Sequence, residues 1–233
     1  MIRTVLIYAT LILMVIIFFP LLSEIKPLSQ LNPLAKRYVE DSTKNLNSPN
    51  IVTSIVVTYR GLDTLGEVTV LFLATTGIGF LIKRRKKNGE KGAFQASEIL
   101  QTGSLFLFPI IILFGTYIFL HGHLTPGGGF QGGVLIASAS VLLIMANVNI
   151  KLNHTVLHFI ESLSGFLYVI IGTIGLFLLG SFLDPKFLPL GKFGSLFSAG
   201  AIPIIYSLIG LKVGAELTNI VDSLRAEGME DEK

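Results

Sequence analysis

The chain has 233 residues, of which 51% are hydrophobic and 14% charged. Soluble domains carry about 25% charged residues, so this composition indicates an all-α membrane protein. The absence of cysteine excludes a thiolate metal site, an iron–sulfur cluster or a disulfide framework within the chain. The formal net charge of +3 comes largely from one basic cluster and does not indicate nucleic-acid binding. We expect no catalytic group, no metal site and no cofactor.

Six apolar stretches are long enough to cross a membrane as helices, since about 20 helical residues span a hydrocarbon core of roughly 30 Å. The predicted spans are Val5–Leu22, Leu62–Ile82, Ile99–Leu120, Gly132–Val148, Val156–Leu179 and Phe197–Leu217. The apolar run of the first span is too long for a signal peptide, and no cleavage site follows it, which favours an anchor helix. The sequence therefore predicts a multi-pass protein of the cell membrane.

The densest basic cluster lies at residues 83–87, with Lys91 close behind. Basic loops tend to stay in the cytoplasm, so this cluster predicts that both termini are cytoplasmic. The cluster also marks a predicted boundary between a two-helix module, residues 1–90, and a four-helix module, residues 91–233. Because the two modules differ in their number of spans, they do not form the matching halves of a self-contained transporter.

The second predicted span begins with ionisable side chains, each of which needs an explanation because a charge at the bilayer centre costs at least about 2.5–3.5 kcal/mol. Asp63 and Glu67 lie on one helix face, and Arg60 lies one turn before Asp63. Arg60 and Asp63 favour an interfacial ion pair that fixes the helix end. Glu67 lies deeper without a basic partner in its own span. It either bonds to a neighbouring helix or belongs to an ion path.

The fifth predicted span contains Glu161, about 15 Å into the membrane if the helix begins near Lys151. Burial disfavours a charged carboxylate, so Glu161 is a candidate carrier of a proton or a sodium ion. His154 and His158 lie on the same face, nearer the helix start. Their interfacial position favours a hydrogen-bonding role alone.

The sixth predicted span contains Lys212 and Glu216, four residues apart. This spacing favours a mutually neutralising pair in which the lysine stem reaches towards the membrane edge. The candidates for ion translocation are Glu67, Glu161, Asp63, Glu216 and Lys212.

The segment between the third and fourth spans reads His121-Gly-His-Leu-Thr-Pro-Gly-Gly-Gly-Phe-Gln-Gly-Gly133. Irregular backbone at a membrane edge persists only when it is buried in protein or lines a wet cavity, and glycine permits the close approach that this needs. The sequence predicts a packed turn, with the two histidines bonded to the glycines rather than to a metal. Its structural residues are His121, His123, Pro126, Gly127, Gly128, Gly129, Gln131, Gly132 and Gly133. The spacing of Gly129, Gly133 and Ala137 favours close packing of the helix that follows.

The glycine-rich segment resembles the signature of the MnhB-type subunit of multisubunit Mrp/Mnh-type sodium/proton antiporters, within a similarity that covers roughly residues 95–225. The upstream segment Tyr59–Glu67 resembles a motif in the last helices of the antiporter's large MnhA-type subunit. In membrane-bound respiratory complexes that piece is a separate small subunit. The resemblance implies that two modules are fused here and that together they cover nearly all of the chain.

The resemblance implies a non-catalytic membrane subunit of a multisubunit complex that translocates cations (sodium) and protons. The parent complex is either an Mrp antiporter or a redox-driven respiratory complex of the hydrogenase or sulfane sulfur reductase type, and the fusion favours the latter. Expected partners are other membrane subunits, the lipid bilayer, sodium ions and protons, with no nucleic acid. Two alternatives stay open: a structural scaffold without an ion path, and a small autonomous cation channel or carrier.

Overall fold

The computed structural model describes residues 2–23, 30–83, 96–147, 150 and 152–231, which form helices and turns with no strand among them. The α-helices are α1 (Ile2–Ser23), α2 (Pro33–Lys44), α3 (Ile51–Ser54), α4 (Gly61–Lys83), α5 (Glu98–Leu120), α6 (Gly129–Ala146), α7 (His154–Leu179) and α8 (Ile202–Asp231). A π-helix, Ile55–Tyr59, joins α3 to α4, and a short 3-10 helix, Pro185–Phe187, precedes α8.

The predicted all-α fold with six helices of membrane-spanning length is confirmed. Helices α1 and α4 to α8 are each long and apolar enough to cross a membrane. The cytoplasmic location of both termini stays a prediction. The basic residues after Lys83 and the predicted module boundary at residue 90 lie outside the described residues.

Residues 1–37 and residues 38–233 form two compact units. In the first unit, the stretch Thr4–Leu22 of α1 has a mean hydropathy of 2.8, and all its side chains are exposed. A helix that is apolar on every side needs an apolar environment along its whole surface. The composition of α1 is therefore that of a membrane helix.

Helix α8 lies at the centre of the second unit, where 67% of its spanning stretch is buried. Helices α4, α5, α6 and α7 all pack against it. Its buried residues Ile202, Ile205, Ile209 and Val213 recur every three or four positions and so form one apolar face. Because most of the spanning stretch is buried, the other sides of α8 also contact neighbouring helices.

Glycines allow α5, α6 and α8 to approach closely. A Cβ atom added to Gly132 would lie 2.6 Å from the carbonyl oxygen of Gly115, and one added to Gly133 would lie 2.8 Å from that of Gly210. Both distances are shorter than real Cβ contacts, so a side chain at either glycine would push the helix backbones apart. The packing role predicted for the small residues of α6, including buried Ala137, is confirmed.

Helix α7 begins at His154 and not near Lys151 as the sequence suggested. The side chain of Asn153 caps it by accepting hydrogen bonds from the backbone N–H groups of the next turn, at Thr155 and Val156. The later start places Glu161 about 10 Å along the helix, at 1.5 Å per residue, and corrects the predicted depth of about 15 Å.

Helix α8 also differs from its prediction at both ends. It begins at Ile202 and not at Phe197, because residues 197–201 form turns in which Ala199 adopts a positive φ of 62°. It continues to Asp231, well past the predicted end at Leu217. Hydropathy alone ended the prediction where polar residues begin, whereas the helix continues through them.

Candidate functional site

The ammonium group of Lys212 lies between two carboxylates contributed by two helices. Its Nζ is 3.3 Å from Oε2 of Glu216, one turn further along α8, and 3.9 Å from Oε1 of Glu161 in α7. The three residues are only 7%, 1% and 6% exposed, in that order. The predicted Lys212–Glu216 pair is thus confirmed as a contact, but it is not isolated, because Glu161 from another span joins it.

Helix α4 closes the same cluster from the third side. The hydroxyl of Thr75 donates a hydrogen bond of 3.0 Å to Oε1 of Glu216. The ring of Phe72 lies 5.0 Å below the Lys212 ammonium, a distance at which an aromatic face attracts a cation. Three helices that lie far apart in the sequence therefore converge on one buried cationic group.

A chain of polar contacts continues from the cluster to the beginning of α7. His158 Nδ1 lies 3.4 Å from Oε2 of Glu161, and Asn219 Nδ2 lies 3.2 Å from the same histidine nitrogen. Asn219 Oδ1 lies 2.7 Å from His154 Nδ1, and His154 Nε2 lies 3.0 Å from Oδ2 of Asp222. The side chains of His154 and His158 are exposed at that end, so the buried cluster is linked to accessible groups.

We refer to this connected set as the relay. It consists of Thr75, Glu216, Lys212, Glu161, His158, Asn219, His154 and Asp222. Lys212 lies ten residues from the first residue of α8, about 15 Å along it, which is half the thickness of a hydrocarbon core. From Lys212 to Asp222 the relay extends over ten further residues of α8, about another 15 Å.

A cavity of about 270 Å³ adjoins the relay between α4, α7 and α8. Glu161 and Lys212 line it on the side of the relay, and Thr69, Phe72 and Tyr168 are among its other lining residues. Its volume is several times that of a water molecule, and its polar lining atoms could bind water. Glu161 and Lys212 therefore adjoin open space on the side that faces the first half of α4.

The structure does not bring Glu67 and Asp63 into the relay. The side chain of Glu67 is exposed on α4 and forms no hydrogen bond or ion pair within the described part of the chain, although it lies close enough to Tyr168 to interact electrostatically with it. Asp63 accepts a hydrogen bond of 2.6 Å from Nε of Arg60, and both side chains are exposed, so the contact of the predicted ion pair is confirmed, whereas its position at the membrane interface stays a prediction. Of the five candidates, only Glu161, Lys212 and Glu216 meet.

The glycine-rich segment forms a separate polar region, which we call the glycine cap: residues 45–54, 121–128 and 181–201. Its bonds join side chains to main-chain carbonyls. Asn50 Nδ2 donates to the carbonyls of Gly122 and Thr125, at 2.8 and 2.9 Å, and the Thr53 hydroxyl donates to Gly122 at 2.6 Å. Gly122 itself is crowded, since an added Cβ would meet the ring of Tyr206 at 2.8 Å. The predicted packed turn is confirmed.

The two histidines of this segment do not bond to its glycines, which corrects that expectation. His121 Nδ1 lies 3.0 Å from the carbonyl oxygen of Tyr117, and the two rings stack. His123 is fully buried, with Nε2 3.4 Å from the carbonyl oxygen of Ser195. Burial lowers the pKa of His123 below its ordinary value, an effect partly offset by the bond to Ser195. The reason is topological: residues 181–201 fold over the segment, and a local pattern does not show this.

Sequence reasoning missed Thr75, Asn219 and Asp222. A signal for the last two exists, because Lys212, Glu216, Asn219 and Asp222 follow one another at intervals of four, three and three residues, a helical face. The prediction ended the sixth span before Asn219 and so lost the pattern. No comparable signal marks Thr75, whose role depends on contact between α4 and α8.

The fold and the relay together define a polytopic α-helical membrane protein with ionisable side chains built into its interior. Residues 99–219 match the family described as a domain related to the MnhB subunit of Na⁺/H⁺ antiporters, and residues 6–96 match the MbhE family of MBH subunits. The chain belongs to the MnhB-related family. The resemblance predicted from the glycine-rich segment is confirmed.

Relatives of this chain differ in how much of it they cover. An uncharacterised protein of Methanocaldococcus jannaschii is 32% identical over 211 residues, which cover 79% of this chain and 80% of the relative. The corresponding Na⁺/H⁺ antiporter subunit of Bacillus subtilis is 52% identical over 48 residues, 21% of this chain and 34% of that subunit. The high identity is therefore confined to a short segment, whereas the archaeal similarity extends over most of the chain.

Two solved structures share the fold. A chain of the membrane-bound sulfane sulfur reductase, an archaeal respiratory membrane complex, is 42% identical with a TM-score of 0.82, over 96% of this chain and 98% of that one. A chain of the Mrp complex of Dietzia sp. DQ12-45-1b has a TM-score of 0.76 over 95% of this chain and 26% of that one, and at 22% identity it shows the fold alone. The protein is homologous to subunits of both kinds of complex and is a multi-pass membrane protein.

Proposed function

We propose that this protein is a membrane subunit of a redox-driven respiratory complex of the sulfane sulfur reductase or hydrogenase type. Its similarity to a whole chain of the sulfane sulfur reductase supports this parent over an antiporter. Other membrane subunits are then its partners, and catalytic groups reside in those partners. Residues 1–90 and 91–233 act as the two modules, in keeping with the family matches at residues 6–96 and 99–219.

In this complex the relay forms part of an ion path, and the observation that carries this proposal is its continuity. A side-chain contact that only locks helices together needs one neutral pair, such as Lys212 with Glu216. Here a further carboxylate, two histidines and an aspartate continue from that pair to the membrane edge, each within 4 Å of the next polar group. Ionisable groups inside a membrane are costly, and they commonly mark ion pathways and proton relays.

Glu67 is proposed as a second acidic group on the path, acting at a subunit interface. Its carboxylate is exposed on α4, about 9 Å along a membrane-spanning helix. A charge facing hydrocarbon there would be costly, so a polar or basic group of a neighbouring subunit has to meet it. Asp63 has its partner already in Arg60 and serves as the matched surface carboxylate.

The test is ion-gradient formation by the whole purified complex in proteoliposomes, normalised to subunit content. Glu161→Gln keeps the size and hydrogen bonding of the side chain but cannot change charge, so we expect at least about a tenfold lower rate from an assembled complex. Glu67→Gln should lower the rate as well. Asp63→Asn is the control and should leave it unchanged.

Two outcomes distinguish the alternatives. Wild-type pumping by both glutamine variants would leave only the scaffold function. Ion transport by this chain alone, reconstituted without other subunits, would instead establish an autonomous channel or carrier. Redox activity measured in detergent separates a loss of ion transport from a loss of electron transfer.

A further inference from the structure

We propose that the relay is selective for protons and does not bind sodium, because Lys212 already occupies the position that a bound cation would take. This inference rests on the proposed ion path and specifies the ion that the path carries. It concerns the cluster of Glu161, Glu216 and Lys212, which is the buried end of the relay.

Each carboxylate oxygen of the cluster faces a polar or charged group of the chain, although Oε2 of Glu216 forms no hydrogen bond and contacts Lys212 only as an ion pair. Oε1 of Glu216 accepts from the Thr75 hydroxyl, and Oε2 lies 3.3 Å from Lys212 Nζ. Oε1 of Glu161 lies 3.9 Å from the same Nζ, and Oε2 lies 3.4 Å from His158 Nδ1. A hard cation is bound by several oxygen atoms at once, so sodium would have to displace the ammonium or the histidine from these oxygens.

Lys212 is held at its charged end, which makes such a displacement costly. Its ammonium lies over the Phe72 ring and between the two carboxylates. These contacts direct the charge to one position.

The charges of the cluster leave room for one proton. Two carboxylates and one ammonium sum to one negative charge in a buried site, and such a net charge is unfavourable. Addition of one proton to either carboxylate neutralises the cluster without any new ligand. Glu161 faces the histidine nitrogen directly, so a proton on His158 Nδ1 can move to Oε2 of Glu161, leaving a neutral imidazole and a neutral carboxyl group.

The remaining charged groups lie at the other end of the relay. Asp222 contacts His154 at 3.0 Å and Arg225 at 3.9 Å. Asn219 lies between the two histidines and contacts both, but its amide does not itself carry a proton. The side chain of His158 is exposed, so it takes up its proton from water, and Asn219 Nδ2 can donate to His158 Nδ1 once that nitrogen has passed its proton to Glu161. Proton movement thus needs only small rearrangements of hydrogen atoms, whereas sodium would need the heavy atoms to separate.

The experiment uses dicyclohexylcarbodiimide, an apolar reagent that modifies protonated carboxyl groups, on the whole purified complex. Modified residues are identified by mass spectrometry between pH 5 and 8, in sodium chloride and in choline chloride at equal concentration. We expect modification of Glu161 or Glu216 to increase as the pH falls and to be the same in both salts. Protection of either residue by sodium in the wild-type complex would overturn the proposal, and so would a lack of modification of both at every pH.

A substitution sharpens the test. Lys212→Gln removes the resident cation and adds an amide oxygen, so sodium should protect the two carboxyl groups in this variant by severalfold. Lys192→Gln, an exposed loop residue, is the matched control and should stay insensitive to sodium. If Lys212→Gln does not assemble, the wild-type comparison of the two salts still decides. The pumping assay on Glu161→Gln tests the path itself, so its failure and a failure of selectivity are distinguishable.

Discussion

The glycine cap and the relay are both polar regions of an apolar bundle, but they satisfy their polar groups in opposite ways. In the cap, uncharged side chains such as Asn50 and Thr53 bond to fixed main-chain carbonyls. In the relay, titratable side chains such as Glu161 and His158 bond to one another. Main-chain carbonyls cannot change charge, whereas carboxylates and imidazoles can. The conspicuous sequence motif therefore builds the scaffold, and the region suited to ion chemistry lies in plainer helices.

The largest effect should follow from breaking the packing next to the cap. In Gly132→Val the new side chain meets the backbone of Gly115, where even its Cβ would lie 2.6 Å from the carbonyl oxygen, so α5 and α6 have to separate. We expect loss of the assembled complex, measured by co-purification. Gly103→Val has open space around it and should assemble normally.

A valine substitution at Gly128 can be compared with the one at Gly132. It has an extended φ of 164°, and an added Cβ would first meet the movable side-chain oxygen of Gln131, at 2.7 Å. The sequence alone predicts equal intolerance at Gly128 and Gly132. The structure predicts that Gly128→Val assembles better than Gly132→Val, and equal loss in the two would show that the cap backbone itself is the sensitive element.

The next largest effect should follow from removing the cation of the relay. Lys212→Met leaves two buried carboxylates facing each other, and removing one partner of a buried charge pair costs about 3–5 kcal/mol. The thermal unfolding midpoint should fall clearly. Combining it with Glu216→Gln should recover part of that loss, because the repulsion is then relieved. If the stability lost in the double variant equals the sum of the losses in the two single variants, the charges are not coupled.

A smaller effect is expected in the cap when one side chain is shortened. Asn50→Ala removes the cap of α3 and the donor to two carbonyls, at an expected cost of about 1–3 kcal/mol. Asn47→Gly removes one exposed bond to Gly191 and suits the positive φ of 50° at this position, so it should cost less. Proton pumping per assembled complex should match the wild type in both variants. A selective pumping defect in Asn50→Ala would contradict the division between scaffold and path.

The smallest effect concerns the pH dependence of the cap. The pKa of His123 is lowered from 6.5, so the unfolded chain binds more protons at this residue than the folded one below neutral pH. The stability contributed by neutral His123 is complete above about pH 6.5 and decreases as the pH falls below that value. The thermal midpoint of the wild type should fall between pH 7 and pH 5.5 more than that of His123→Gln. Parallel curves would show that another group titrates.

The sequence was sufficient for what depends on local pattern. Hydropathy predicted six spanning helices, and glycine spacing predicted the close packing of α6. It was insufficient where two distant helices supply one site. Glu161 has no lysine or arginine in its own helix, and its permanent cation comes from Lys212, 51 positions later. The helical spacing of Asn219 and Asp222 could be recognised in the sequence, but the span predicted from hydropathy ended too early to include them.

The bonds of Asn50 also set an order of events during biosynthesis. This residue binds carbonyl groups that lie 72 and 75 positions later in the chain. A ribosome that inserts helices from the N-terminus onwards releases α3 and α4 before it has made those carbonyls. The start of α3 therefore has no complete set of hydrogen bonds until α5 has entered the membrane. Completion of the cap around α3 therefore waits for α5, and because both lie in one polypeptide, the missing partner arrives at a fixed time and in equal amount.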